Sequence, residues 1–278
     1  MNQEENKTLA APTPEEEEQA DELRRKVGLP RFFELLGRDL WSFYRASFLC
    51  CLGFLPGFVL MAFGLLAGSL PLGAVGGALA GLLGAPLLSG LLDTLLRALR
   101  DEPGFWWHTY KMAWKQNWKA SLLPGLLFGL FAGVWVSLLF LCADMENVPT
   151  SVWICLLVGL FIGMGFFSYL LVQVPLVDLP LGRMLKNAAL MFIGFFPRTA
   201  AASLVQLAYW AAVLLYLPLT IPVLLVFGFW LPCLIAAMIL YPGLDKVFQL
   251  EKTLRTRRDA ELAERMAGSG PVFSHNDQ

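Results

Sequence analysis

Few residues in this chain have types and spacing suited to chemistry. Asp93 is the one acid within or beside a long apolar run, and Arg97 follows one helical turn later. An acid at membrane depth is a polar-relay candidate for protons or a solute. An acid with a cation at i+4 reads first as a boundary ion pair. The second constellation is WWHTYKMAWKQNWKASLL, Trp106–Leu123, which carries four Trp, one Tyr, one His and three Lys. Aromatics interleaved with cations suit a nucleic-acid surface, a ligand platform or a membrane boundary. Beyond these the chain offers little. HExxH, GxSxG, P-loop and GxGxxG patterns are absent. There are two histidines; His275 sits in the polar run SHNDQ, and His108 alone is too few for a His-rich metal site. Cys50, Cys51, Cys142, Cys155 and Cys233 form no C-x-x-C pair and lie in or beside apolar runs, as packing residues do. No catalytic, cofactor-binding or metal-ligating residue is assigned, no cofactor is expected, and a membrane enzyme ranks last among the function classes.

The elements that must position these residues are apolar helices. The 278 residues are 57% hydrophobic and 15% charged, with net charge −1 and mean hydropathy +0.60. Soluble domains carry about a quarter charged residues, and nucleic-acid domains a basic excess. Both classes are therefore disfavoured, and no nucleic-acid partner is expected. About 20 apolar residues cross a bilayer, and six windows qualify: Ser47–Ala67, Leu72–Leu92, Leu122–Cys142, Val152–Val174, Ala200–Leu217 and Ile221–Tyr241. None shows the polar face of a soluble amphipathic helix. The acidic stretch 1–28, with Glu15–Glu18, has the composition of a disordered tail. Residues 29–244 form the membrane domain, and 245–278 a charged helix and tail, helical over Asp245–Met266.

Charge fixes the orientation. GSLPL (68–72), ADMENVPTS (143–151) and LPLTI (217–221) contain no Lys or Arg; all 21 basic residues lie in the other segments. Basic flanks stay cytoplasmic, which predicts both termini inside. The fold expected is an all-α integral membrane protein of six transmembrane helices, arranged as three hairpins with interfacial amphipathic helices.

Tyr44-Arg45-Ala46-Ser47 and Trp118-Lys119-Ala120-Ser121 are alike, with a weaker third copy at Phe196-Pro197-Arg198-Thr199-Ala200. Arg45, Lys119 and Arg198 thus mark three membrane entrances, by repetition or by the common need of an entrance for an aromatic and a cation. Gly73, Gly77 and Gly81 form one ladder at spacing four, and Gly125, Gly129 and Gly133 another; Gly53/Gly57 and Gly159/Gly163 form pairs. Small residues let helix backbones approach closely in lipid. Packing within the chain is the first use, a homo-oligomer face the second. Among the prolines, Pro86 between Gly84 and Gly90 is the best place for a broken helix.

On a helical wheel Trp107, Tyr110, Trp114 and Trp118 share a face, and His108, Lys111, Lys115 and Lys119 a neighbouring stripe. Trp106 opens the segment. Trp and Tyr favour the headgroup level, and Lys stems snorkel to it. The stretch is read as an interfacial helix turning into the third span at Ser121, with the lipid bilayer as partner and a docking surface for another membrane protein as the alternative.

The segment Gly84–Leu123, GAPLLSGLLDTLLRALRDEPGFWWHTYKMAWKQNWKASLL, resembles the YesL-like family of bacterial membrane proteins, most closely at Lys115-Gln116-Asn117-Trp118-Lys119. LKNAALMFIGFFPRT, Leu185–Thr199, carries a second similarity. The resemblance spans roughly residues 35–245 and transfers no catalytic residue. It implies a multi-span cell-membrane protein, associated in some members with carbohydrate utilisation. The expected function is an accessory or assembly component of a carbohydrate-uptake system, working beside transporter subunits; the alternative is a small-solute transporter acting on its own.

Overall fold

A computed structural model describes residues 26, 28–102, 104–216, 219–253, 256, 259 and 260. The expected disordered tail lies outside these residues except at Lys26 and Gly28. Eight helices appear among the described residues: α1 Leu29–Leu66, α2 Leu70–Leu99, α3 Trp106–Ala143, α4 Thr150–Leu176, α5 Leu181–Gly194, α6 Phe196–Leu215, α7 Ile221–Phe227 and α8 Trp230–Phe248. Six of them, all but α5 and α7, are long and apolar enough to cross a membrane. The chain divides into two compact units, 1–40 and 41–278. In the first, Arg31 pairs with Glu34 at 3.4 Å and Arg38 with Asp39 at 2.8 Å.

Helix starts follow the prolines. Pro71 and Pro197 sit in the first turns of α2 and α6, where a missing N–H costs nothing and φ is preset. The C-terminus of α2 closes through Asp101 at φ 55°. The Glu102 N–H donates to the Arg97 carbonyl at 3.0 Å and the Asp101 N–H to Ala98 at 3.3 Å, the hydrogen-bond pair of a Schellman cap.

The second unit is built on glycine. The two ladders face each other: a Cβ on Gly77 would stand 2.5 Å from the Gly133 Cα, and one on Gly81 2.8 Å from the Gly129 Cα. Nothing larger than hydrogen fits between these backbones, which run antiparallel. Gly53 meets Gly84, with its added Cβ 3.3 Å from that Cα, and Gly57 meets Ala80, so α1 also runs antiparallel to α2. Gly159 and Gly163 lie under the rings of Trp135 and Phe131 on α3. All these spaced glycines are thus occupied within the chain, the first of the two uses expected.

Four expectations are corrected. The turn at Ser121 does not form; α3 is one helix of 38 residues, as is α1. Each is about 57 Å long at 1.5 Å per residue. Ala113, Lys115, Gln116, Lys119 and Ala120 all favour helix, and the Ser121 hydroxyl only bonds back to the Trp118 carbonyl at 2.8 Å. The separate amphipathic helix is α5, which buries Met184, Ala188 and Met191 and exposes Arg183 and Lys186. Pro86 does not break α2, where the Phe54 ring lies on Gly84 and the Tyr110 ring on Gly90, clasping the helix on either side. The sixth apolar window, Ile221–Tyr241, is instead two helices divided at Gly228–Phe229. Finally, the helix expected over Asp245–Met266 is interrupted at Gln249, which is left-handed at φ 49°. It resumes at Leu250, with the Asp245 carboxylate accepting the Glu251 N–H at 2.9 Å; residues 254, 255, 257, 258 and 261–266 lie outside the described residues.

Candidate functional site

The break between α7 and α8 is where the backbone departs from rule inside an apolar segment. Gly228 has φ 39° and ψ −131°, a conformation open to glycine. Pro232 stands four residues later, and its ring clashes with the carbonyl of the residue four before it. Pro232 thus cannot bond back to Gly228, and the Gly228 conformation itself ends α7. A broken helix frees polar groups that lipid cannot satisfy, and here four of them meet side chains. The Ser47 hydroxyl on α1 accepts the Phe229 N–H at 2.9 Å and the Trp230 N–H at 3.3 Å. The Tyr209 hydroxyl on α6 donates to the Gly228 carbonyl at 2.7 Å, and the Trp230 indole N–H to the Val226 carbonyl at 2.9 Å. The Phe229 ring is held by Phe54 at 4.7 Å and Trp210 at 5.2 Å.

Behind the break lies a cavity of about 60 Å³, bounded by Phe229, Cys233, Leu88, Phe167 and Trp210, with Ser168 and Gln206 as its polar members. The Gln206 amide donates to the Ser168 hydroxyl at 2.7 Å, which donates to the Met164 carbonyl at 2.6 Å. Nearby on the same helices, Thr199 and Tyr169 share a hydrogen bond at 3.3 Å. The Gln173 amide, fully buried, donates to the Tyr169 and Met184 carbonyls.

Asp93 takes no part in this cavity. Its carboxylate is bonded by the Arg97 guanidinium at 2.8 Å; Arg97 also reaches Glu102 at 2.9 Å, and Glu102 is joined by Arg100 at 2.8 Å. Asp93 is thus an end of an ion-pair chain at the α2 terminus. On α8, the Tyr241 hydroxyl donates to Glu251 at 2.9 Å.

The aromatic and basic stretch divides into three faces rather than two. Tyr110, at the inner edge of the Trp face, is buried; its hydroxyl donates to the Leu87 carbonyl at 3.2 Å and its ring covers Gly90. The helical wheel could not identify the packed side because Tyr110 and the tryptophans look equally aromatic. Trp107, Trp114 and Trp118 remain exposed on one flank. Lys111, Lys115 and Lys119 are exposed on a stripe beyond the tryptophans, Lys119 lying 5.7 Å from the Trp118 ring. Trp106 is half-buried and receives Arg45, whose guanidinium carbon is 5.5 Å from its ring and 4.9 Å from Trp41. Arg198 is exposed in the first turn of α6 and meets none of these groups.

The three entrance copies share one further feature. A small hydroxyl beside each cation is buried: Ser47, Ser121 and Thr199. Ser47 serves the break, Ser121 its own helix, and Thr199 bonds the Phe195 carbonyl at 3.0 Å. Sequence reading overlooked Tyr209, Gly228, Ser168 and Gln206; the Gly228–Pro232 spacing was the signal available for the break. The five cysteines are free thiols. With this geometry in hand, the chain matches no protein-family model, no curated protein and no solved structure.

Proposed function

We propose that this chain is a multi-pass bacterial cell-membrane protein, its six spans forming three hairpins with both termini cytoplasmic. It works as a non-enzymatic accessory or assembly component, and the YesL-like resemblance makes a carbohydrate-uptake system the assembly it serves. The carrying observation is an interior whose polar groups are occupied by one another. The cavity behind the Gly228 break is about 60 Å³, bounded almost wholly by apolar side chains, room for a few waters. Gln206, Ser168, Tyr209 and Ser47 hydrogen-bond within the chain, and Asp93 is paired. The chemistry left facing outward is the Trp and Lys surface of α3, suited to a partner subunit or the membrane surface.

Mild-detergent co-purification from native membranes tests the reading. Transporter subunits are expected with the wild type and should be depleted by Lys111→Glu with Lys115→Glu; recovery of the chain alone refutes it. A periplasmic-type reporter fused after Asn147 should be active and one after Lys119 silent, and the opposite pattern overturns the orientation. The broken segment at Gly228 favours a second reading, a transporter in its own right. Solute uptake by proteoliposomes holding only this chain supports that reading.

A further inference from the structure

We propose that Arg45, clamped between Trp41 and Trp106, is a binding site for the phosphate of an anionic phospholipid. The proposal rests on the membrane reading above but not on the accessory role. Arg45 is exposed, and its guanidinium lies over two indole rings, at 4.9 and 5.5 Å from their centroids. An indole ring offers no conventional acceptor, so a guanidinium held over two of them keeps its fork of N–H donors for an oxygen anion. That fork matches the oxygens of a phosphate. Among the described residues the ion pairs are Arg31–Glu34, Arg38–Asp39, Arg97–Asp93, Arg97–Glu102 and Arg100–Glu102, and none includes Arg45.

The clamp is built in advance. Trp106 rests on Tyr110 with centroids 5.5 Å apart, and Tyr110 is fixed by its bond to Leu87. Trp41 stacks on Tyr44 at 5.6 Å and 11°, and is 63% exposed, so the clamp opens outward beside an indole able to sit among glycerol and upper acyl atoms.

Height along the bundle selects a lipid over a soluble anion. Both α1 and α3 run antiparallel to α2, so Arg45 and Lys111–Lys119 lie at the same end. Gly53 is level with Gly84, and Gly125 with Gly81. Counting about 1.5 Å per residue from those glycines sets Arg45 about 12 Å and Lys115 about 10 Å beyond Gly84. Arg45, Lys111, Lys115 and Lys119 therefore bracket one plane at the end of the apolar run, with exposed Trp107, Trp114 and Trp118 beside it. A plane of cations with indoles fits the anionic headgroup layer.

The test uses the full chain in detergent, stripped of lipid, with native mass spectrometry after adding phosphatidylglycerol, chain-matched phosphatidylcholine or inorganic phosphate. Wild type should retain phosphatidylglycerol over phosphatidylcholine. Arg45→Gln should lower that retention at least fivefold, and Arg45→Lys by less. Trp41→Ala, which removes an exposed ring and leaves the packed one, should lower it about threefold with an unchanged melting temperature. Unchanged retention in either Arg45→Gln or Trp41→Ala, equal retention of the two lipids, or displacement by equimolar inorganic phosphate overturns the site. Loss of stability with an unaltered lipid ratio also overturns it, reducing the clamp to a helix staple. Carbonate extraction separates the failures: a wild-type chain released from membranes refutes the membrane reading itself.

Discussion

Ser47→Ala tests whether the broken sixth segment depends on one hydroxyl. The substitution removes the acceptor for two N–H groups at once, at 2.9 Å and 3.3 Å, in a site where Ser47 is only 3% exposed. Neither N–H can recover a carbonyl one turn back, because Gly228 has turned the chain away. A buried donor left unpaired costs about 1–3 kcal/mol. Membrane hydrogen bonds measured by double-mutant cycles average about 0.6 kcal/mol, and the 3.3 Å bond belongs near that low end. Together the two give about 2 kcal/mol, roughly thirtyfold in the folding equilibrium. Ser121→Ala is the matched control. It deletes the same atom at 1% exposure, but that hydroxyl only bonds a carbonyl of its own helix. Less than about 0.5 kcal/mol is expected, since such back-bonds slightly disfavour the helix. The assay is reversible unfolding in mixed micelles by SDS titration, followed by tryptophan fluorescence. If the two variants agree within about 0.5 kcal/mol, the break is held by packing alone and the reasoning fails.

Further outcomes can be checked on the same preparation. Gly129→Ala should destabilise by about 1–3 kcal/mol through overpacking, because its Cβ would stand 2.8 Å from the Gly81 Cα, while Gly182→Ala meets nothing within 4 Å and should be neutral or better. Tyr209→Phe should cost about 1 kcal/mol and be non-additive with Ser47→Ala, since both hold the same turn; strict additivity in a double-mutant cycle would count against that coupling. Arg97→Met should cost about 3 kcal/mol by leaving Asp93 buried without its cation, and Asp93→Leu added to it should restore much of the loss. No restoration would mean the wider chain through Glu102 holds the α2 terminus.

Hydropathy made the helical class and five of the six long helices legible, because each apolar run is bounded by prolines or charges. The sixth misled for a physical reason. Ile221–Tyr241 is uniformly apolar, and what divides it is backbone geometry at Gly228 and Pro232, which hydropathy does not register. The same limit explains Ser121. A cation and an aromatic mark the depth at which lipid meets water, but a helix can cross that depth without bending, and α3 does. Asp93 and Arg97 were readable because i+4 pairing is local. Ser47 meeting Phe229 was not, because 182 residues separate them and no local period encodes that meeting. The burial of Tyr110 was not readable because a wheel gives relative angles but not the direction of the neighbouring helix.

The facing ladders of α2 and α3 also have a mechanical meaning. Two backbones in contact with no side chains between them have no soft layer to compress, and sliding one past the other would drive Cα atoms into carbonyls. The pair behaves as a keel, stiff to shear and to separation. Any working motion of the second unit must then be taken up elsewhere, and the turn at Gly228–Phe229, whose hydrogen bonds come from two different helices and whose aromatic ring backs onto a cavity, is where the backbone ladder is already interrupted.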